Sequence, residues 1–116
     1  LELMVPQGSN SGIYLMGQYE IQVLDSFGRE QVGPGDLGGI YGAAPPKLNA
    51  AKAHGEWQTF VIDFQAPRFE NGQKVANARF VRVTLNGQDW QDFNTDKEAI
   101  RVTGVQGKAT RGICGR

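Results

Sequence analysis

One predicted strand carries the side chains best suited to acid–base chemistry. It runs from Glu20 through Gln22 to Asp25, so an acid, an amide and a second acid occupy positions 1, 3 and 6. Because side chains alternate between the two faces of a strand, Glu20 and Gln22 share one face. Asp25 joins them only if the strand bulges or ends near Leu24. A carboxylate beside an amide can remove a proton and hydrogen-bond a hydroxyl group, so these three residues are the candidate catalytic set.

This strand resembles the acid-x-acid-x-x-acid strand of laminarinase-type β-glucanases, in which two carboxylates serve as nucleophile and acid/base. Here the middle acid is replaced by Gln22, and the last is the shorter Asp25. The two-carboxylate mechanism depends on how far each side chain reaches. These departures therefore disfavour ordinary retaining hydrolysis.

Neighbouring strands add aromatic and charged side chains to the same predicted surface. In the strands predicted at 56–65 and 79–85, the apolar positions leave the alternate side chains facing outward. The outward set of the three strands contains Glu20, Gln22, Trp57, Asp63 and Arg82, with Phe80 beside Arg82. Such a surface suits a sugar, whose C–H faces pack on an aromatic ring while its hydroxyls bond the polar groups. The alternative is an ordinary solvated face of an antiparallel sheet.

Short alternating segments separated by turn residues predict an all-β chain. Strands are predicted at 1–5, 11–16, 19–24, 56–65, 79–85 and 99–105, and no useful window shows helical periodicity. Gly17-Gln18 predicts a two-residue type II′ turn, and Asn71-Gly72 and Asn86-Gly87 predict further turns. Residues 25–55 form a long loop rich in glycine and proline, with a short strand near 39–41. These elements indicate a single antiparallel β-sandwich domain over residues 1–116.

Composition excludes several classes of function. The 116 residues contain 12 Lys and Arg against 12 Asp and Glu, so the chain lacks the basic character of a nucleic-acid-binding protein. No apolar run approaches the roughly 20 residues that span a bilayer, so no transmembrane segment is predicted. The single cysteine, Cys114, cannot close an intrachain disulfide, and the single histidine, His54, excludes a structural zinc site. The sequence contains no signal for an oligomeric state.

Two loop features carry weaker signals. Residues 33–38 match G-x-G-x-x-G, but no strand precedes them and no helix can follow, so a dinucleotide site is rejected. Oxygen-only coordination of Ca²⁺ or Mn²⁺ stays open, with Asp25, Asp36 and loop carbonyls as candidate ligands. His54 is interpreted as an exposed loop residue, and the alternative is a general acid or base near the site.

Several motifs, taken in order, resemble one known family. The chain contains N-S-G-I-Y-L at 10–15, Y-E-I-Q-V-L-D-S at 19–26, G-I-Y-G at 39–42, G-E-W-Q-T-F at 55–60, A-P-R-F at 66–69 and L-N-G at 85–87. Together they resemble the 3-keto-disaccharide hydrolase domain, most clearly over residues 1–87. The resemblance implies a concanavalin A-like jelly roll that bacteria usually export, hence a secreted or periplasmic location. The pattern is already under way at Leu1 and lacks its closing strands, so the chain is interpreted as a fragment truncated at both ends.

The resemblance also implies a carbohydrate substrate, a glycoside oxidised at C3. A ketone at C3 acidifies the C2 proton, so one base can remove it and the enolate can expel the C1 substituent. Glu20 is the predicted base, and Gln22, Arg82 or a bound divalent cation is predicted to stabilise the enolate oxygen. The other predicted site residues are Asn10, Tyr14, Asp25, His54 and Trp57. Two alternatives stay open: a non-catalytic carbohydrate-binding module, and a structural β-sandwich fragment without a site.

Overall fold

The computed structural model describes residues 1–90 and 93–94, which form nine β-strands and no helix. The strands are β1 (Glu2–Met4), β2 (Asn10–Leu15), β3 (Tyr19–Leu24), β4 (Trp57–Gln65), β5 (Arg68–Glu70), β6 (Gln73–Ala76), β7 (Arg79–Leu85), β8 (Gln88–Trp90) and β9 (Phe93–Asn94). Within these residues the all-β prediction is confirmed. The strand predicted at 99–105 and Cys114 lie outside the described residues.

Antiparallel pairing assembles these strands into one large sheet and two hairpins. The large sheet has the order β1-β4-β7-β8, and β9 also pairs with β7. β2 pairs with β3, and β5 pairs with β6. Along β4 the side chains alternate as predicted: Gln58 and Phe60 are buried, Ile62 and Phe64 are half-buried, and the residues between them are exposed. The even-numbered face of β4 therefore points into the core.

The β2–β3 hairpin forms a second layer over the large sheet. The ring centroid of Tyr19 on β3 lies 5.3 Å from that of Phe64 on β4 and 6.5 Å from that of Phe80 on β7. The two phenylalanine centroids are 5.0 Å apart. Ile21, which is fully buried, belongs to the same apolar cluster. Two antiparallel layers that enclose one core make the domain a β-sandwich, which confirms the predicted fold class.

A β-bulge in β7 changes which of its side chains face the core. Asp63 pairs with Arg82, but the next residue of β4, Phe64, pairs with Phe80, so Val81 is an extra residue. An extra residue inverts the alternation of side chains beyond it. The prediction that Phe80 faces outward beside Arg82 is therefore wrong, because Phe80 is fully buried whereas Arg82 is exposed.

The predicted hairpin turns are present, with one correction. Residues 16–18 connect β2 to β3, so the loop has three residues rather than two. Met16 and Gly17 both have positive φ, 55° and 67°, which is the type I′ pattern and not the predicted type II′. The Asn-Gly pairs at 71–72 and 86–87 also have positive φ at both positions and close two-residue hairpins.

Part of the long loop between β3 and β4 lies alongside β3. Ile40 forms an antiparallel bridge with Ile21, and the N–H of Gln22 donates to the carbonyl of Gly39 at 2.8 Å. The N–H of Tyr41 donates to the Glu20 carbonyl at 2.9 Å. The short strand predicted near 39–41 is thus reduced to two isolated bridges, which join Ile40 to Ile21 and to Ala44. β3 consequently has hydrogen-bonded neighbours along both edges.

Candidate functional site

Four of the predicted site residues lie on one face of the β2–β3 hairpin. Tyr14 is directly opposite Glu20, and Gly12 is directly opposite Gln22. Asn10 begins the same face of β2. The core residues of both strands are odd-numbered, so the even-numbered side chains point away from the large sheet. We call this even-numbered surface of Asn10, Gly12, Tyr14, Glu20 and Gln22 the hairpin face.

Glu20 is the most unusual residue of the hairpin face. It is 0% exposed, and neither of its carboxylate oxygens has a hydrogen-bond partner among the described residues. An ionised carboxylate withdrawn from water without a donor is costly, and buried polar groups in native proteins are nearly always hydrogen-bonded. This exception makes Glu20 the candidate residue for ligand binding or chemistry.

Gln22 adds a third buried acceptor to the hairpin face. It is 2% exposed, and its Nε2 donates to the carbonyl of Gly35 at 3.1 Å. Its Oε1 has no hydrogen-bond partner among the described residues. Glu20 and Gln22 therefore contribute three buried acceptor oxygens to the hairpin face, two from Glu20 and one from Gln22. Hydroxyl groups of a sugar are donors that suit such a set.

The loop that contacts Gln22 is held by a carboxylate of its own. Asp36 accepts the N–H of Gly33 at 2.8 Å and forms an ion pair with Arg29. The Asp36 N–H in turn donates to the Gly33 carbonyl at 3.1 Å, which closes a tight turn. We call Arg29 and Asp36 the loop clasp. Residues 33–38, the G-x-G-x-x-G match, thus form a turn that carries Gly35 to Gln22.

Asp25 and His54 lie together where β3 ends. One Asp25 oxygen accepts the N–H of Gly8 at 2.9 Å and is 3.9 Å from Nδ1 of His54. The Asp25 N–H donates to the Ser9 carbonyl at 3.0 Å. β3 ends at Leu24 without a bulge in its pairing with β2. The Asp25 carboxylate, just beyond the end of β3, binds the turn before β2. The roles of Asp25 in catalysis and of His54 in sugar binding stay predictions.

Trp57 and Arg82 belong to the outer face of the large sheet and not to the hairpin face. Trp57 is 62% exposed on β4, and Arg82 is exposed on β7 opposite Asp63. Trp57 and Asp63 are six residues apart on one strand, a distance of about 20 Å. The prediction that Glu20, Gln22, Trp57, Asp63 and Arg82 share one surface is therefore wrong, because each layer of a sandwich has its own outer face.

The side chains predicted as cation ligands are engaged by hydrogen-bond donors. Asp36 is bound by Arg29 and by a backbone N–H, and Asp25 is bound by the N–H of Gly8. In the part of the chain that the structure describes, no group of three or more His, Cys, Asp or Glu side chains could hold a metal ion. The Ca²⁺ or Mn²⁺ site predicted from Asp25, Asp36 and loop carbonyls therefore stays a prediction, and no step below uses a metal.

A cavity of about 330 Å³ lies between β1 and β2. Its volume falls within the range of small-molecule pockets. Asn10 and Gly12 line it, together with apolar residues of β1 such as Leu3. Glu20 and Gln22 do not contribute to its lining. The unpartnered oxygens of Glu20 and Gln22 therefore lie outside the cavity lining, whereas Asn10 belongs to both the lining and the hairpin face, and we locate the candidate site at Glu20.

Gly12 and Gly35 are absent from the sequence-based prediction of this site, and Asp36 is predicted only as a cation ligand. For Gly12 a signal exists, because a glycine inside a strand often marks the close approach of another group. Gly35 and Asp36 act on the site through the hydrogen bond between Gln22 and Gly35, which lie 13 positions apart in the sequence. No local pattern reveals such a contact.

The architecture defines the class of the molecule, an antiparallel β-sandwich domain with buried acceptor groups on its smaller layer. The chain belongs to the 3-keto-alpha-glucoside-1,2-lyase-like domain family, which matches residues 1–113. This membership confirms the family resemblance drawn from the motifs.

Two solved structures, both described as putative glycosyl hydrolases from Parabacteroides distasonis, are similar to the chain. One is 35% identical with a TM-score of 0.64, and the match covers 78% of this chain and 39% of the other. The second is 16% identical with a TM-score of 0.55, covers 85% of this chain and 48% of the other, and supports the fold alone. The chain therefore spans less than half the length of either protein. No curated protein matches it.

Among the described residues, no helix has the length and apolar character needed to cross a membrane.

Proposed function

We propose that this domain cleaves the glycosidic bond of 3-keto-glycosides, with Glu20 as the base that removes the C2 proton. The observation that carries the proposal is the fully buried Glu20 carboxylate, whose two oxygens have no donor among the described residues. A carboxylate in that state accepts a proton without first losing a hydrogen bond. Family membership over residues 1–113 supports the substrate class.

The reaction needs only one base because the C3 ketone acidifies the neighbouring C2–H bond. Glu20 takes the C2 proton, and the electron pair of that bond forms an enolate that extends to the C3 oxygen. The electron pair then forms the C1–C2 double bond and expels the C1 oxygen, which leaves with the proton that Glu20 gives up, so that Glu20 returns to its carboxylate form. Elimination ends at this point, and addition of water across the double bond completes hydrolysis. Lyase and hydrolase chemistry thus begin with the same proton transfer.

The other residues of the hairpin face suit recognition of the substrate. Gln22 presents an acceptor oxygen, so it fits a sugar hydroxyl better than the enolate oxygen predicted for it. Tyr14 is opposite Glu20 and carries an O–H group that can donate to an oxyanion. Arg82 lies on the other layer. We therefore assign the enolate donor to Tyr14 and the hydroxyl contacts to Gln22 and Asn10.

The burial of Glu20 has a chemical use. Water near an enolate protonates it, and a closed site excludes that water. A carboxylate that is 0% exposed contacts a substrate only after the covering residues move. Residues 33–41 contact both the Gln22 side chain and the β3 backbone, so we assign this movement to them.

A carbohydrate-binding module is the second candidate, and Trp57 favours it. Its ring is 62% exposed on the outer face of the large sheet, where its register partner Met4 is 42% exposed. An exposed indole can stack on a sugar ring without catalysing a reaction. This candidate predicts sugar binding that depends on Trp57 and not on Glu20.

The test measures release of a chromogenic aglycone from a 3-keto-glucoside and from the matching unoxidised glucoside, with and without a chelator. After circular dichroism shows a folded β protein, we expect release from the keto substrate alone. Loss of that release with chelator would reveal a divalent cation. No release from either substrate, together with sugar binding that Trp57→Ala abolishes, would replace the enzyme with the binding module.

The location and the extent of the domain stay predictions. The family resemblance implies a secreted or periplasmic protein, and the strand pattern implies one domain over residues 1–116.

A further inference from the structure

We propose that Gly12 is a positioning residue, which sets the place of the Glu20 carboxylate by having no side chain. The inference rests on the proposed function, because it concerns the base of that reaction. Gly12 lies on β2 within the hairpin face, two residues before Tyr14, the register partner of Glu20.

The contact between the two residues is direct. A Cβ built on Gly12 would lie 2.8 Å from the carboxyl carbon of Glu20 and 2.9 Å from its Cγ, and it would overlap Oε1. Real Cβ atoms essentially never approach other heavy atoms below 3.0 Å. The Glu20 side chain therefore lies across β2 in space that any other residue at position 12 would fill.

The backbone does not by itself require glycine at this position. Gly12 lies inside β2 and does not have the positive φ that favours glycine elsewhere in the chain. An L-residue with a side chain can adopt an ordinary strand conformation. Glycine is therefore required at position 12 because the Glu20 carboxylate occupies the space that a side chain would fill.

Packing is what fixes the Glu20 carboxylate. No described residue donates a hydrogen bond to it, so hydrogen-bond geometry does not hold its two oxygens in place. Glu20 is also fully buried, which prevents its end from swinging into water if a methyl group intrudes. A methyl group at position 12 must displace the carboxylate. A misplacement of about 1 Å can cost roughly 100-fold in rate.

The experiment compares Gly12→Ala with Ser11→Ala, a change at the neighbouring residue of the same strand. The first readout is the ¹³C resonance of the Glu20 carboxyl group, assigned by its loss in Glu20→Gln. We expect this resonance to move in Gly12→Ala and to stay in place in Ser11→Ala. The readout needs no substrate, so it is independent of the proposed reaction.

The second readout is turnover of the 3-keto-glucoside. We expect kcat to fall about 100-fold in Gly12→Ala with a smaller change in KM, and to stay near wild type in Ser11→Ala. Adding Glu20→Asp to Gly12→Ala shortens the side chain by one methylene, so the double variant should turn over faster than Gly12→Ala alone. If Gly12→Ala lowered turnover only by a loss of stability unrelated to Glu20, shortening the Glu20 side chain would not restore turnover.

The outcomes separate the two proposals. If the resonance shifts in Gly12→Ala but the wild-type protein releases no aglycone, the proposed function is overturned. The packing relation between Gly12 and Glu20 then still stands. Unchanged turnover in a folded Gly12→Ala protein, beside an active wild type, would overturn the positioning role. If Gly12→Ala does not fold, the double variant with Glu20→Asp must fold, and its failure to do so would also overturn the inference.

Discussion

A carboxylate that is sealed from water and accepts no hydrogen bond destabilises the fold that contains it. Glu20 is such a group in the described structure. Replacing it by Gln keeps the shape and removes the charge, so we expect Glu20→Gln to unfold at an unchanged or higher temperature. The same change removes the proposed base, so turnover of the 3-keto-glucoside should fall about 10²- to 10⁴-fold. Thermal unfolding and initial rates measure the two effects.

Glu56→Gln provides the matched control, because Glu56 is an exposed acid just before β4. It should change neither the unfolding temperature nor the rate. A clearly lower unfolding temperature for Glu20→Gln would mean that the native carboxylate has a stabilising partner, which contradicts the state described above.

The location of the site residues on a strand face could be predicted, but their burial could not. Period-two alternation correctly places Glu20 and Gln22 on the same face, and the register extends that face to Tyr14. Nothing in the sequence near Gln22 indicates that Gly35 covers it, because that contact depends on how a long loop folds back.

At the level of elements, the loop clasp determines how Gln22 is oriented. Asp36→Ala removes the acceptor for Arg29 and for the N–H of Gly33, so the turn that carries Gly35 loosens. We expect a loss of about 1 kcal/mol in stability, because the Arg29 end of the ion pair is half exposed and contributes little. Turnover should also fall, because the Gln22 amide loses its fixed orientation. Urea denaturation and initial rates measure these changes.

A double-mutant cycle distinguishes this effect from general loosening. If Asp36 acts through Gln22, then Asp36→Ala should change turnover little in a Gln22→Ala background. Equal effects of Asp36→Ala in both backgrounds would contradict the proposed connection. Glu30→Gln, an exposed acid beside Arg29, is the control for a change of charge near the clasp.

Gly39 is required by a close backbone contact within the same loop. A Cβ at this position would lie 2.7 Å from the Pro34 carbonyl oxygen and 3.1 Å from that of Asp36. Backbone atoms cannot move aside as a flexible side chain can, so Gly39→Ala should destabilise the protein by about 1–3 kcal/mol in urea denaturation.

Gly35→Ala is the control for stability, because a Cβ there would meet no atom within 4 Å. It should change stability by less than about 1 kcal/mol. Equal losses for Gly39→Ala and Gly35→Ala would mean that the Pro34 contact has no energetic effect.

The strands themselves were largely predictable, and the bulge was not. Asn-Gly pairs and alternating segments fix the hairpins at 70–73 and 85–88 because type I′ turns need positive φ at both central residues. The extra residue of β7, Val81, has the same apolar character as Val83, so the sequence shows a regular alternation where the structure interrupts it.

At the level of the whole molecule, the cluster of Tyr19, Phe64 and Phe80 joins the two layers. Phe80 is fully buried, with its ring centroid 5.0 Å from that of Phe64. We expect Phe80→Ala to destabilise the domain by about 3–5 kcal/mol, a large fraction of the 5–15 kcal/mol typical of a small protein. Chemical denaturation measures the loss.

Phe69→Ala removes a ring of equal size that is 60% exposed on β5. Its effect on stability should stay within about 1 kcal/mol. Similar losses for the two variants would mean that the layers are not held together by the buried cluster.

The sandwich fold followed from the strand pattern, but the assignment of residues to its two outer surfaces did not. Separating core-facing from outward-facing side chains works within each strand. It does not say which layer an outward side chain belongs to, so Trp57 and Glu20 were placed on one surface although the core lies between them. Only the pairing of strands resolves that ambiguity.

The hydrogen bonds between β3 and residues 38–41 also determine how often the site opens. The N–H groups of Gln22, Gly38 and Tyr41 all take part in them, so they exchange with deuterium only when this segment separates from β3. If the same separation admits the substrate to Glu20, no catalytic cycle can be faster than the opening. Under conditions where exchange outpaces reclosing, the exchange rate of these three amides therefore sets an upper limit on kcat, and it can be measured without any substrate.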